Sequence, residues 1–323
     1  MTSLATKIIA ATMVGALALL SGSCSSDNES TDSSPASSSE NYPISLPGPY
    51  GNVEIAKRPE RIIALNSATA DELLSLGITP VAVAGTQETV DRTAPWLSER
   101  LKEILDSNIL NPGGVEINYE HLASLDADLL VGQNLYFPNV ESFEKTNAIV
   151  PTVLPESEDR NVDWETRYLT TARAVGKESE AKSEIGKIKS DFEDFGRDAE
   201  LSEKTYNYIS VQKEKGTFSY GNGRLLELTG LVPATNQEDS QNKSVITSSL
   251  ENIADLDGDI IFDWESTTKR QEVEKIPGFD SLPATKAGNV FYLQSDIATA
   301  LNNPGPQGVN AFLDFLKSLD FKK

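Results

Sequence analysis

The sequence predicts an α/β protein of two lobes, each a parallel sheet covered by helices, joined by one long helix. Three observations carry that prediction. Short apolar runs alternate with amphipathic stretches on both sides of the chain's middle, the pattern of buried parallel strands between covering helices. Residues 164 to about 200 carry no strand signal and separate the two series. Segments 118–131 and 249–262 repeat one plan: N-cap, Glu, short helix, acidic turn, apolar strand.

The N-terminal residues stand outside that fold. Lys7 precedes a mainly apolar run at 8–20, shorter than the roughly 20 residues a membrane span needs but suited to a signal peptide. Ser21-Gly22-Ser23-Cys24 follows, and Cys24 is the chain's one cysteine. Small residues beside such a Cys resemble a bacterial lipoprotein processing site, which would make 1–23 a leader and Cys24 an acylated N-terminus. Ser21 stands where an aliphatic residue is usual, with Leu20 one step earlier. An ordinary secretory signal with an incidental Cys is the alternative. Residues 25–42 are Ser-rich with Asp27, Glu29, Asp32 and Glu40, a composition that buries too little apolar surface to fold and predicts a tether.

The first lobe is expected over 43–163. Strands are predicted at 61–65, 81–84, 128–131 and 150–154, and helices at 71–76 (ended by Gly77), 96–105 and 119–125, the last N-capped by Asn118. In the helical segment 164–203, Ala181, Ile185, Ile188, Phe192 and Phe195 recur at helical spacing, which predicts a helix of about 20 residues, or about 30 Å. The second lobe is expected over 204–323, with strands at 206–211, 259–262 and 290–293 and helices at 224–228, 251–256 and 309–319.

Composition excludes several functions. The chain has 323 residues, 49 acidic against 28 basic side chains and a formal net charge of −21. That balance argues against nucleic acid as a partner and against docking on anionic lipid through a basic face. One Cys and one His, His121, leave no Cys-based zinc site and no multi-His metal centre. The stretch Gly221-Asn222-Gly223-Arg224 lacks the third glycine of a dinucleotide fingerprint. Asp255-Leu256-Asp257-Gly258-Asp259 lacks the terminal Glu of an EF-hand loop and reads as a turn.

Three segments carry a family resemblance: Arg58-Pro59-Glu60-Arg61-Ile62-Ile63-Ala64-Leu65 leading into 71–83; Asn118-Tyr119-Glu120-His121 through Val131; and Ser249-Leu250-Glu251-Asn252 through Phe262. Over residues 50–318 the chain resembles the iron-siderophore and cobalamin substrate-binding proteins of ABC importers. The resemblance implies two Rossmann-like lobes held by one rigid interlobe helix, with the ligand in the cleft between them. It implies a monomeric binding protein with no catalysis and no cofactor, whose ferric iron arrives only inside its siderophore. It also implies delivery to an ABC importer permease dimer from the extracytoplasmic face of the cell membrane. By motif position, Glu120 and Glu251 would be the permease-docking carboxylates. A helix-dipole role at each N-terminus is compatible with this.

Ligands of open parallel sheets bind beyond the carboxyl ends of the strands. Those ends offer Asn66, Ser67, Thr86, Gln87, Gln133, Asn134 and Tyr136, residues 156–164, and Lys213, Tyr220, Arg224, Trp264, Lys269 and Arg270. Aromatic faces with a few cations suit a ferric siderophore, which singles out Tyr136, Trp164, Tyr220, Arg224 and Trp264. Trp96 reads as core or helix surface, and His121 as structural. Haem or cobalamin on the same scaffold is the first alternative. An extracellular hydrolase, weakened by the single His and the lack of a nucleophile motif, is the second.

Overall fold

The computed structural model describes residues 42–157, 159, 162–237 and 246–322. The leader, Cys24 and the tether up to residue 41 lie outside the described residues. A hairpin of β1 (Ile44–Leu46) and β2 (Val53–Ile55) opens the fold. The first sheet then takes strands β3 (Ile62–Ala64), β4 (Ala82–Ala84), β5 (Leu105–Asp106), β6 (Leu129–Val131) and β7 (Thr152–Val153) in the order β5-β4-β3-β6-β7, all parallel. Every residue of β3, β4, β6 and β7 is buried, as expected for strands covered on both faces.

The helices of this lobe are α1 (Ser67–Ser75), α2 (Gln87–Thr93), α3 (Ser98–Leu101), α4 (Tyr119–Ser124) and α5 (Val140–Asn147). All but α3 start at a side-chain cap: Asn66, Thr86, Asn118 and Asn139 each accept a bond from the backbone N–H three residues on. The cap satisfies an otherwise unpaired donor of the first turn. The helix predicted over 96–105 is shorter: a 3₁₀ turn at Pro95–Leu97 and then α3, before the chain enters β5.

The middle of the chain holds two helices. These are α6 (Trp164–Ala174) and α7 (Glu178–Asp198), separated at Gly176, whose φ of +72° no helix tolerates. Helix α7 has 21 residues and buries Ala181, Ile185, Ile188, Phe192 and Gly196 along one stripe, the face anticipated from the spacing. A Cβ at Gly196 would lie 1.8 Å from the carbonyl oxygen of Thr229. Only glycine lets the end of α7 approach the second lobe that closely.

The second sheet is mixed, not parallel. Its strands are β8 (Thr205–Gln212), β9 (Thr217–Tyr220), β10 (Val232–Pro233), β11 (Thr247–Ser249), β12 (Ile260–Trp264) and β13 (Val290–Leu293). The order is β11-β9-β8-β12-β13, with β10 beside the start of β8. A turn over Lys213–Lys215, closed by Gly216 at φ +66°, reverses the chain at once, so β9 runs antiparallel to β8. A connection this short can only make a hairpin. The helices are α8 (Arg224–Glu227), α9 (Arg270–Val273), α10 (Pro283–Ala287), α11 (Ser295–Asn302) and α12 (Pro306–Lys317). The segment matching α4 is a 3₁₀ helix at Leu250–Asp255.

Strand alternation divides the apolar side chains. Tyr206, Tyr208, Ile260 and Phe262 join α7, α12 and the first lobe in one continuous core. Ile209, Val211, Phe218, Tyr220 and Ile261 form a second core on the opposite face. The last two helices return to the first lobe, where α12 packs on α1 and α11 on α2. The lobes are thus tied by α7 and by this returning pair.

Candidate ligand-binding site

The carboxyl ends of β3, β4 and β5 border a cavity of about 460 Å³ lined by Asn66, Ser67, Gly85, Thr86, Ser107, Asn108, Asn118 and Tyr136, among others. The same residues that start the helices therefore furnish the wall. The Oδ1 of Asn66 accepts from Thr69 N at 2.8 Å, the Oγ1 of Thr86 from Thr89 N at 3.2 Å, and the Oδ1 of Asn118 from His121 N at 3.1 Å. The Nδ2 of Asn66 donates to the phenolic oxygen of Tyr136 at 3.4 Å. Burial raises the Tyr136 phenol above its ordinary range, so it stays neutral. A second cavity of about 540 Å³ also takes in Asn111, Asn118 and Tyr136, and adds Glu116, Glu120, Glu141 and Lys145. Lys145 is held by Glu141 at 2.7 Å.

Helix α11 leaves the carboxyl end of β13 and packs against α2, which leaves that of β4. The carboxyl ends of both sheets therefore border one region. A polar network ties the first lobe to the returning helices. Gln133 Nε2 donates to Asn303 Oδ1 at 3.1 Å, Arg167 donates to Asn303 and to the Pro304 carbonyl, and Asn302 Nδ2 donates to Tyr208 OH at 2.6 Å. Asn134 Nδ2 is spent on the carbonyls of Ser157 (2.8 Å) and Asp159 (3.0 Å). Gln133 and Asn134, expected at the cleft, are instead buried and bonded within the fold.

The five singled-out residues separate. Tyr136 lines both cavities. Trp264 ends β12, half-buried. Trp164 and Tyr220, expected as aromatic faces of the cleft, are core residues at 8% and 2% exposure. Trp164 starts α6 under the Asp163 cap and packs into the first core. Tyr220, the last residue of β9, pairs with Ile209 of β8 and meets the Phe218 ring at 5.4 Å. Arg224 is exposed, but antiparallel β9 carries its backbone toward the amino half of β8: Gly221 N bonds Tyr208 O, and Gly223 lies against the Tyr206 ring. The expected placement of Tyr220 and Arg224 took the residues after the 206–211 strand as a loop that stays at its carboxyl end, and β9 instead turns back along β8.

The cations near the second sheet's carboxyl ends are engaged. Lys213 pairs with Glu272, which Lys275 also reaches at 2.9 Å. Arg270 pairs with Glu274 at 2.7 Å and lies 5.1 Å over the Tyr292 ring. Lys269 Nζ donates to the Glu265 carbonyl at 3.3 Å. His121 Nε2 meets Asp106 Oδ2 at 2.7 Å. Partial burial pushes the Asp106 carboxyl up, but the His121 and Asn108 hydrogen bonds outweigh it and hold it below the ordinary range. Among the described residues, no three His, Cys, Asp or Glu side chains cluster to hold a metal ion.

Glu120 and Glu251 are both exposed, in the first turns of α4 and of the 3₁₀ helix Leu250–Asp255. Each turn precedes a sheet strand (β6 or β12) and runs down from the carboxyl end of its sheet. Glu120 lines the second cavity. Next to Glu251, Leu250 N bonds the carbonyl of Gly216 in the turn that closes β8, at 2.8 Å. The repeated segments therefore bring both carboxylates to the carboxyl-end rims of their sheets.

Two α/β lobes with their strand ends facing a shared region define the class of two-lobed substrate-binding proteins. The chain belongs to the periplasmic binding protein family, whose profile matches residues 62–297. It is 25% identical to the Fe(3+)-citrate-binding protein YfmC of Bacillus subtilis, over 91% of each chain. It is 30% identical to the Iron(3+)-hydroxamate-binding protein YxeB of the same organism, over 59% of this chain and 53% of that one. Streptococcus pneumoniae PiaA in complex with ferrichrome shares the fold, with TM-score 0.70 and 19% identity over 84% of this chain and 96% of that one. The family is one of binding proteins. No helix among the described residues is long and apolar enough to cross a membrane.

Proposed function

We propose that the protein is an extracytoplasmic receptor that captures a ferric siderophore and delivers it to the permease of an ABC importer, held near the membrane by acylated Cys24. The observation that carries this is the cavity wall of helix-capping amides and hydroxyls at the first sheet's carboxyl ends, beside Tyr136. Such a wall binds a large chelate by its periphery and leaves the iron's coordination shell intact. The relatives named for ferric citrate and ferric hydroxamate support the same ligand class. Glu120 and Glu251 are the docking points for the two permease subunits. No step makes or breaks a covalent bond, and the protein works as a monomer.

Titration of the purified protein with ferric chelates, followed by tryptophan fluorescence, tests this directly. Saturable quenching by the iron-loaded chelate, and weaker binding of the iron-free chelator, is the expected result. Binding of haem or cobalamin alone would replace the ligand class. Replacing the acylation site by Cys24→Ser should move the protein from the membrane fraction to the soluble one.

A further inference from the structure

The charge of the ligand is written into the wall of the site, given that the protein is a ferric-chelate receptor. None of the residues lining the 460 Å³ cavity carries a formal charge, although 24% of the chain is charged. The polar groups there are all uncharged amides and hydroxyls, among them Asn66, Asn108, Asn118, Ser67, Thr86 and Ser107. The adjoining cavity holds three carboxylates, Glu116, Glu120 and Glu141, against one cation, Lys145, already paired with Glu141. Across the region Lys213 and Arg270 are likewise paired with carboxylates. The chain's charge of −21 adds a negative long-range field. A trianionic chelate entering this cavity would lose water without gaining a counter-charge from its wall, a cost of several kcal/mol per buried ion. A chelate with no net charge loses little, and its outward carbonyls and amides find matching donors and acceptors.

We propose that the site selects ferric chelates of zero or positive net charge, bound through amide and hydroxyl hydrogen bonds, and discriminates against trianionic ones. Carboxylates on the rim favour a chelate with a pendant ammonium. The two iron-binding relatives are named for ligands of different chemistry, so their names do not decide this point. The neutral wall does.

Four probes test it by quenching titration at low and at physiological salt: ferrioxamine B (cationic), ferrichrome (neutral), ferric enterobactin (trianionic) and ferric citrate (anionic). The cationic and neutral chelates should bind at least about tenfold more tightly than the trianion, given that like-charge contacts cost several kcal/mol. Added salt should weaken ferrioxamine B and leave ferrichrome unchanged. Exposed Ser107→Lys, checked for folding by circular dichroism, should narrow the gap by strengthening the trianion. Tightest binding of enterobactin or citrate would overturn the charge rule while leaving the receptor reading intact. Failure of all four to bind would overturn the receptor reading and the charge rule with it.

Discussion

Asp71 on α1 accepts hydrogen bonds from the backbone N–H groups of Gln307 (3.2 Å) and Gly308 (2.9 Å) in the first turn of α12, and from Gln307 Nε2 at 2.8 Å. A carboxylate of the first lobe thus serves the N-terminus of the chain's last helix. Helix starts leave N–H groups unpaired and carry partial positive charge, so the contact is favourable on both counts. Gly305 permits it, since a Cβ there would lie 2.5 Å from the Asp71 Cβ. Beside it, Glu72 accepts from Thr171 Oγ1 at 2.6 Å and lies 3.7 Å from the Arg167 guanidinium. Asp71→Ala should cost about 1–3 kcal/mol by leaving buried donors unmet, read from the urea midpoint. An unchanged midpoint would show that α12 is held by its apolar face alone.

The stability of the protein should fall as pH rises from about 4 to about 7. Burial pushes the Asp71 carboxyl up to about 6 against the backbone bonds of Gly308 and Gln307. It pushes the Asp263 carboxyl up to about 7, with Glu265 adding to the rise and the Val211 N–H only partly offsetting it. Both values exceed the ordinary 3.8, so the folded chain binds more protons than the unfolded chain across that window and loses stability on deprotonation. Asp263 contributes up to about 4 kcal/mol of that loss. Asp263→Asn should flatten the slope between about pH 4 and 7 in urea melts. A variant as steep as the parent would remove Asp263 as the source.

Gly196→Ala should destabilise the protein by about 3 kcal/mol or more, because the methyl would overlap the Thr229 carbonyl and part α7 from the second lobe. Gly186 on the same helix has open space about it, and Gly186→Ala should be neutral or stabilising by about 1 kcal/mol. Thermal melts of the pair compare them. Equal effects would mean that α7 does not seat against the second lobe as closely as found.

Tyr136 and the two core aromatics should separate binding from stability. Tyr136→Ala should weaken ferric-chelate binding about tenfold, the cost of roughly one buried polar contact with its apolar area, with little loss of stability. Trp164→Ala and Tyr220→Ala should instead cost about 3–5 kcal/mol of stability. Chelate titration beside chemical denaturation measures both. A stable Tyr220→Ala protein with lost affinity would return Tyr220 to the site.

Much of the fold was legible because its signals are local. The apolar stripe of α7 follows from Ala181, Ile185, Ile188 and Phe192, and the 118–131 and 249–262 segments announce themselves by repetition. The hairpin at β8–β9 was missed although Gly216 and the alternation Thr217, Phe218, Ser219, Tyr220 mark a turn into a strand. Reading the second lobe as a copy of the first hid it and misplaced Tyr220 and Arg224. Asn66, Ser67 and Thr86 were read as strand-end residues and Asn118 as a cap; that Asn118 joins them in one wall depends on β3, β4 and β5 lying side by side. Ser107 and Asn108 follow a two-residue strand, Leu105–Asp106, too short to leave a pattern. The burial of Trp164 depends on α6 packing against β1, β7 and α1, a tertiary fact its neighbours do not encode.

In the proposed function, one molecule both grips a ferric chelate and hands it on through two matched carboxylates. Reversing both charges with Glu120→Arg and Glu251→Arg, both exposed positions, and measuring chelate affinity alongside radioactive iron uptake by cells carrying only this variant, tests it most directly. With uncharged ferrichrome as the chelate, which the rim charges neither attract nor repel, affinity should be unchanged and uptake should fall to background. Uptake at the parental rate would contradict it.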